Sequence, residues 1–405
     1  MNLLIINRYF YPDITSVPQL LTELSEDLVK KGIDVSVICS RNSYNGSKKH
    51  KKYEKYRGIK IYRVNNVYAK GKSFFYRLLE IITFFVSVFL KGLFIKRIDR
   101  IMVFSSPPMI APVGILLGKL KGARVIYIVE DLHPELEIKL GMIKENSIFS
   151  SILRRLNNFV FKKADKVITL GVRMKNRILK IYNIEEEKIH IIPNWANEEK
   201  LYPVEKKDNP FIKKFNLENR FVVQYSGNMG LGHEFKTILE GIKRLKDKKD
   251  IIFQFIGEGP KKEGVEKYVK ENNLTNVMIL PYQAYEDLNY SLNMADIALI
   301  SIKRGIGGLL LPSKFYGIMA VGRPFILVGD KENEIYDFII ENRVGHFVDE
   351  GDVDTFCDSV IFYYNNRELL KEEGKLLRNK FESLYKRTLS SSRYYNVLME
   401  KEVNE

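Results

Sequence analysis

The chain has 405 residues, too many for one ordinary core and enough for two α/β domains. Cys39 and Cys357 show no CxxC and no paired spacing, which argues for a reducing compartment and against a structural zinc site. The net charge of +15 is one-sided: residues 1–195 carry 34 Lys and Arg against 17 Asp and Glu, and residues 196–405 carry 31 against 33.

A basic first half points to an anionic partner. No nucleic-acid module is visible and the basic residues are not interleaved with aromatic ones, so the expected partner is an anionic membrane surface, with no nucleic acid. Met1 leads straight into a strand, so no signal peptide is expected. The expected location is cytoplasmic, peripheral at the inner face of the cell membrane.

Apolar runs predict strands at Leu3–Ile6, Val35–Cys39, Ile59–Val64, Ile101–Phe104, Val125–Val129, Val167–Leu170 and His190–Ile192. Helical patterns such as Gln19–Lys31 and Phe149–Lys163 lie between them. This alternation predicts a mostly parallel sheet covered on both faces. Ligands of such sheets bind beyond the carboxyl ends of the strands, so the loops there are the places to search.

The loop after the first strand runs from Asn7 to Pro18 and includes Tyr11 and Ser16. It has the length to line a cleft but no glycine to cradle a phosphate. Behind Val125–Val129 comes Glu130-Asp131-Leu132-His133-Pro134-Glu135, three carboxylates and a histidine close to a strand end. Such a cluster suits acid–base chemistry. The structural alternative is a helix start, with Asp131 as cap and Pro134 opening the helix. No second histidine is near, so a two-histidine metal site does not fit.

Phe74–Ile95 is the most apolar segment. Its longest uncharged run, Ile81–Leu90, is ten residues, where a bilayer needs about twenty. It reads either as a core helix or as a helix lying in the membrane surface, flanked by the basic runs Lys48–Lys52 and Lys96–Arg100. Pro193-Asn194-Trp195-Ala196-Asn197 closes the first half, and a hinge is placed near residue 195.

A second series of strands follows: Phe221–Tyr225, Ile251–Ile256, Val277–Leu280, Ile297–Ile300 and Phe325–Val328. Leu369–Lys401 reads as two charged amphipathic helices, the last of which could cross back to the first domain. Glycine-rich turns follow two of the strands, at Ser226–His233 and Gly257–Pro260. A third stretch, Gly305–Glu334, opens with a glycine run expected to be mobile. It continues through Pro312-Ser313-Lys314 at a helix start, then a short helix Phe315–Ala320 that stops at Gly322. Free N–H groups there, with Lys314 and Arg304, would favour a phosphate. Three such turns on one sheet predict a nucleotide-phosphate site, although GxxxxGK[ST] is absent. Among His190, His233 and His346, His233 is the best functional candidate.

These residues resemble the family 4 type of retaining glycosyltransferases, with the glycosyltransferase-B fold. The resemblance rests on Phe10-Tyr11-Pro12, Pro193-Asn194, Ser226-Gly227-Asn228, Gly257-Glu258-Gly259-Pro260, Ala295–Leu299 and Met319–Pro324. Asp131-Leu132 with Pro134-Glu135, and Pro312-Ser313-Lys314 before Tyr316-Gly317, are similar to the bacterial transferases of O-antigen, capsule and colanic-acid synthesis. Four departures stand out. Leu309 and Gly317 occupy the positions of two glutamates found in many relatives. Asn228 and His233 stand where an Arg and a Lys usually hold the donor diphosphate. Glu130-Asp131 replaces a His-Asp pair. The glycine pair of the first loop is missing.

The resemblance implies an α/β protein of two facing Rossmann-like domains with an interdomain cleft. Residues 1–195 would hold the acceptor at the membrane, 196–385 the nucleotide sugar, and 386–405 would be a C-terminal helix packing back. It implies transfer from a nucleotide sugar, a UDP-sugar with an N-acetylated amino sugar as one candidate, to a lipid-linked acceptor in surface polysaccharide synthesis. Retention without an enzyme nucleophile, and no metal or cofactor, are part of that expectation. Donor contacts are expected from Gly227, Asn228, His233, Glu258, Arg304, Pro312, Ser313, Lys314 and Glu334, with Lys314 and Arg304 neutralising the diphosphate. Tyr11, Ser16 and His133 are expected on the acceptor side, with Asp131 or Glu130 as base or orienting group. Two other classes stay open: a sugar-nucleotide epimerase, and a non-catalytic relative that binds nucleotide or a partner.

Overall fold

The computed structural model describes residues 1–13, 15–44, 46, 48–68 and 74–400. The chain forms two compact units. One comprises Met1–Pro193 together with the stretch from Arg387, and the other is Asn194–Lys386.

In chain order the first unit contains β1 (Asn2–Ile6), α1 (Ser16–Lys30), β2 (Asp34–Ser40), β3 (Tyr53–Tyr56), β4 (Ile59–Val64), α2 (Phe74–Leu93) and β5 (Arg100–Phe104). It continues with α3 (Ala111–Lys121), β6 (Arg124–Val129), α4 (Glu135–Lys139), α5 (Ile148–Lys163), β7 (Lys166–Thr169), α6 (Val172–Ile181) and β8 (Ile189–Ile191). The sheet order is β3-β4-β2-β1-β5-β6-β7-β8, and only β3 runs antiparallel to its neighbour. The central strands are buried on both faces, as their unbroken apolar runs require.

From β1 the chain steps outward to β2 on one side, and later to β5 on the other. The topological switch point is therefore between β1 and β5. Right-handed crossovers put α1 on one face and α2, α3 and α5 on the other, because their connections run in opposite directions along the sheet.

The second unit contains α7 (Pro210–Lys214), β9 (Phe221–Ser226), α8 (Lys236–Arg244), β10 (Ile251–Ile256), α9 (Lys262–Glu271), β11 (Val277–Leu280), α10 (Leu288–Leu292) and β12 (Ile297–Ile302). It closes with α11 (Lys314–Ala320), β13 (Phe325–Gly329), α12 (Glu334–Asn342), β14 (His346–Asp349), α13 (Val353–Asn365) and α14 (Arg367–Leu384). All six strands are parallel, in the order β11-β10-β9-β12-β13-β14, with the switch point between β9 and β12. Its core packs Phe253 and Phe255 of β10 against Phe235, Ile238 and Phe356.

The last helix, α15 (Arg387–Met399), belongs to the first unit and packs on α1. Arg387 makes two 2.8 Å bonds to the Asp27 carboxylate and one of 3.1 Å to Glu26 Oε2. It also donates to the Glu23 carbonyl at 2.9 Å. As the sequence suggested, the last helix returns to the first unit with one face buried, and that face consists of Ser390, Ser391, Tyr394, Val397 and Leu398.

Candidate active site

At the second unit's switch point the turns after β9 and β10 are laced together. Met229 N–H donates to the Glu258 carbonyl at 2.8 Å, and Lys261 N–H to the Met229 carbonyl at 3.0 Å. Gly257 sits at φ +141°, and a Cβ there would lie 2.0 Å from the Gly227 carbonyl oxygen. Only glycine permits that approach.

Lys314, the first helical residue of α11, reaches this junction from the loop after β12. Its Nζ stands 3.4 Å from the centroid of the Tyr225 ring. A Cβ on Gly227 would lie 3.1 Å from Lys314 Cε. The nitrogen is buried and has no hydrogen-bond partner among the described residues. Burial pushes its pKa well below the ordinary lysine value. A buried amine that lacks a hydrogen bond is costly in its charged form, and an anion beside it would favour the charge.

His233 does not supply a second cation here. Its Nδ1–H donates to the Ser301 carbonyl at 2.6 Å. Burial, and next the Lys314 charge, bring its pKa down to about 3. The ring is neutral at physiological pH and keeps Nε2 as an acceptor.

The loop Gly305–Gly308 is not the mobile cradle read from the sequence. Asp330 Oδ2 already accepts from Gly305 N–H at 2.8 Å and Gly307 N–H at 3.2 Å, and its Oδ1 accepts from Glu332 N–H at 2.9 Å. A carboxylate of the chain itself fills the anion position. Arg304 is engaged as well: its guanidinium meets Asp349 at 2.9 Å and its N–H meets Glu350 Oε2 at 2.7 Å. Of the two cations read as a pair, Lys314 alone stands at the Gly227 junction with its nitrogen unbonded.

The other residues expected to contact the donor have their own local partners. Asn228 is exposed, and its carbonyl accepts from the Tyr225 hydroxyl at 2.7 Å. Glu258 pairs with Lys262 at 2.7 Å. Pro312 and Ser313 precede α11, with Ser313 at the N-cap. Glu334 opens α12, where the Asn333 side chain caps the helix through Ile335 and Tyr336 N–H.

In the first unit the Glu130–Glu135 cluster follows β6, beside the switch point. The N–H groups of Glu130 and Asp131 donate to Ser105 Oγ at 3.1 and 3.2 Å. Glu130 is buried, and its charge adds to the burial that raises the pKa of Tyr394 in α15. Glu135 is held by Arg154 through bonds of 2.9 and 2.8 Å and accepts from the Tyr182 hydroxyl at 3.1 Å. It ties α4 to α5. Tyr11 stacks on Tyr56 at 3.8 Å, and Ser16 is the exposed first residue of α1.

The working partner of His133 is Glu137, a residue the sequence reading passed over. His133 Nδ1 lies 2.6 Å from Glu137 Oε1. Their spacing of four on a helix start was the available signal. Burial opposes charge on the His133 ring, but the Glu137 bond and the charges of Glu137 and Asp131 outweigh it and raise the pKa. Burial would raise Glu137, yet the His133 contact takes it below the usual range. Asp131 is raised by burial, with His133 opposing and Glu137 adding.

The histidine part of the pair's stability is fully present below about pH 6.5 and lost as pH rises through the folded His133 value. The glutamate part is fully present above about pH 4.3 and lost as pH falls through the folded Glu137 value. The pair therefore stabilises the fold across the window between these. In Glu137→Gln, the His133 pKa followed by NMR falls below that of the parent and the stability plateau is lost. An unchanged His133 titration would show that the contact carries no charge.

Two family descriptions match in succession: Glycosyltransferase Family 4 over residues 17–200, and Glycosyl transferases group 1 over 206–379. The chain belongs to the family 4 type of glycosyltransferases. Its fold is the glycosyltransferase-B fold.

Among similar proteins, the probable glycosyltransferase WbjE of Pseudomonas aeruginosa is 30% identical over 250 residues, spanning 62% of each chain. The putative colanic acid biosynthesis glycosyl transferase WcaI of Escherichia coli K12 is 26% identical over 83% of this chain and 85% of its own. The structure of HepE from Anabaena, in complex with UDP and glucose, superposes with a TM-score of 0.76 at 10% identity, covering 99% and 100% of the two chains.

In this glycosyltransferase the two positions where many relatives carry glutamate are apolar. Leu309 is buried, and Gly317 packs in α11 toward Leu292 and Leu201. Lys314, one helical turn before Gly317, is the amine that α11 brings to the junction of Gly227 and Tyr225.

Proposed function

We propose that this glycosyltransferase moves a sugar from a UDP-sugar to a lipid-linked acceptor in bacterial surface polysaccharide synthesis, at the cytoplasmic face of the membrane. The observation that carries this reading is the buried Lys314 amine, without a hydrogen-bond partner among the described residues, against Gly227 and Tyr225. As the glycosidic bond of the donor breaks, negative charge grows on the leaving diphosphate. An ammonium already placed in a site of low polarity stabilises that charge without reorganisation, and no metal is needed for it. Retention follows if the acceptor enters on the face the diphosphate leaves, the departing phosphate oxygen taking the hydroxyl proton. Asp131, with the His133–Glu137 pair beside it, orients the acceptor from the first unit. WcaI, by its name a putative colanic acid biosynthesis glycosyl transferase, supports the surface polymer, and HepE, solved with UDP and glucose, supports the UDP donor.

A second reading, a non-catalytic nucleotide binder, is favoured by Leu309 and Gly317 and by Asp330 filling the glycine loop. A thermal-shift screen against UDP, GDP, ADP and TDP, with and without magnesium, tests the donor site, since a ligand of the folded state raises apparent stability. The expected result is a rise with UDP that does not depend on magnesium. No rise with any nucleotide would overturn the donor site. Product analysis with a UDP-sugar then separates transfer from epimerisation and from binding alone.

A further inference from the structure

The outer face of α2 is apolar where a surface helix is normally polar. Ile82, Val86 and Leu90 recur every fourth residue and are 47–53% exposed, while Phe84 and Val88 face inward and are buried. Just past the helix, Phe94 is 79% exposed. The pattern continues on the neighbouring helices. Leu116 and Leu120 are exposed on α3, and Ile148, Ile152 and Phe159 on α5, at helical spacing. α3 packs against both α2 and α5, so these side chains share one face of the first unit. A single exposed leucine needs no explanation, but a band across three adjacent helices marks an interaction surface.

Charge decides what covers it. The three helices carry eight Lys or Arg and one acid, Glu80. That acid is buried and paired with Arg8. Lys96 and Arg97 follow α2, Lys119 ends α3, and Lys162 and Lys163 end α5, all exposed. Lys121 closes the last turn of α2 by donating to the Leu93 carbonyl at 2.6 Å and the Ile95 carbonyl at 3.0 Å. A second copy would set the same basic rim against itself, which is unfavourable. An acidic lipid surface complements it, and long basic side chains reach headgroups while their stems stay in apolar surroundings.

We infer that the α2–α3–α5 face seats in the surface of an anionic bilayer, its apolar band entering the acyl boundary and its Lys and Arg rim contacting acidic headgroups. No described helix is long and apolar enough to cross a membrane, so the helices lie in the surface plane. This deepens the membrane side of the proposed function. Its test reads binding without turnover, so its failure leaves the transferase reading standing.

The experiment is flotation of the full chain with vesicles of phosphatidylcholine alone, or mixed with phosphatidylglycerol, at low and high salt. The protein is expected to float with the anionic vesicles, and about tenfold less with neutral ones. The variant Ile82→Ser/Leu90→Ser/Ile152→Ser is expected to lose about tenfold or more of that binding with an unchanged melting temperature. As a readout that needs no destabilising change, Phe94→Trp is expected to shift its emission to the blue on anionic vesicles and to be quenched by brominated lipid. Absence of vesicle binding, or equal binding by the triple variant, would overturn the inference. So would a dimer that the triple variant dissolves without any change in flotation.

Discussion

Lys314→Met is expected to lose about 10²–10³-fold in turnover of the nucleotide sugar, the range for removing one preorganised donor to a developing charge. The same variant is expected to melt higher than the parent. The amine is buried with no hydrogen bond among the described residues, and a methionine of similar length keeps contact with the Tyr225 ring while removing the desolvation cost. A gain of about 1 kcal/mol corresponds to roughly 2–4 °C for a unit of this size. Opposite signs for activity and stability are the mark of a group held for a ligand. A variant that loses both would make Lys314 a structural residue. Parent enzyme carries a second signature. Burial lowers the amine's pKa, and a bound diphosphate would raise it, so binding takes up a proton. Diphosphate affinity therefore falls as pH rises above the lowered value, and Lys314→Met removes that dependence.

Gly257→Ala is expected to cost about 3–5 kcal/mol, lowering the melting temperature by roughly 10 °C. Two effects add. The residue sits at φ +141°, and its new Cβ would lie 2.0 Å from the Gly227 carbonyl oxygen. The obstacle is backbone, so no side chain can turn aside. Relief must come from moving Gly227, which bears on Lys314, so UDP binding should fall with stability. The control is Gly264→Ala in α9, where an added Cβ meets nothing within 4 Å. That change should stabilise by about 0.5–1 kcal/mol. Calorimetric melts of both variants settle the matter: a Gly257→Ala protein that melts with the parent would mean that the two turns separate freely.

The parts of this architecture written in local sequence were readable. Buried parallel strands are continuous apolar runs, and the strands read at Ile59–Val64, Ile251–Ile256 and Val277–Leu280 coincide with β4, β10 and β11. The glycine turns announced the β9 and β10 strand ends, and Pro312-Ser313-Lys314 announced the start of α11. Of the four edge strands, β8 and β11 were read, but β3 and β14 were not. Tyr53-Glu54-Lys55-Tyr56 carries a charged pair and alternates with solvent, and β14 is only partly buried. Side-chain partners were the larger gap. Arg304 was singled out for its charge, but the pairing of β13 with β14 brings Asp349 to that end of the sheet, level with Gly329. Asp330 was invisible as the filler of the Gly305–Gly307 amides because the two lie across a strand, a helix and a loop. The return of α15 to the first unit was read, but not all of the face it buries. Beside Val397 and Leu398 that face includes Ser390, Ser391 and Tyr394, residues that hydropathy does not mark as core.

The return of α15 orders events in time. Glu23, Glu26 and Asp27 of α1 are gathered by Arg387, a residue the ribosome adds only after all of Asn194–Lys386. At about 5–20 residues per second, roughly 10–40 s separate completion of β8 from delivery of that guanidinium. During that interval the nascent first unit holds Glu26 and Asp27 without the Arg387 guanidinium, and an uncovered α1 face. The second unit, contiguous in the chain, can close first. Biogenesis thus runs against the numbering: the half that begins the polypeptide is the last to be finished.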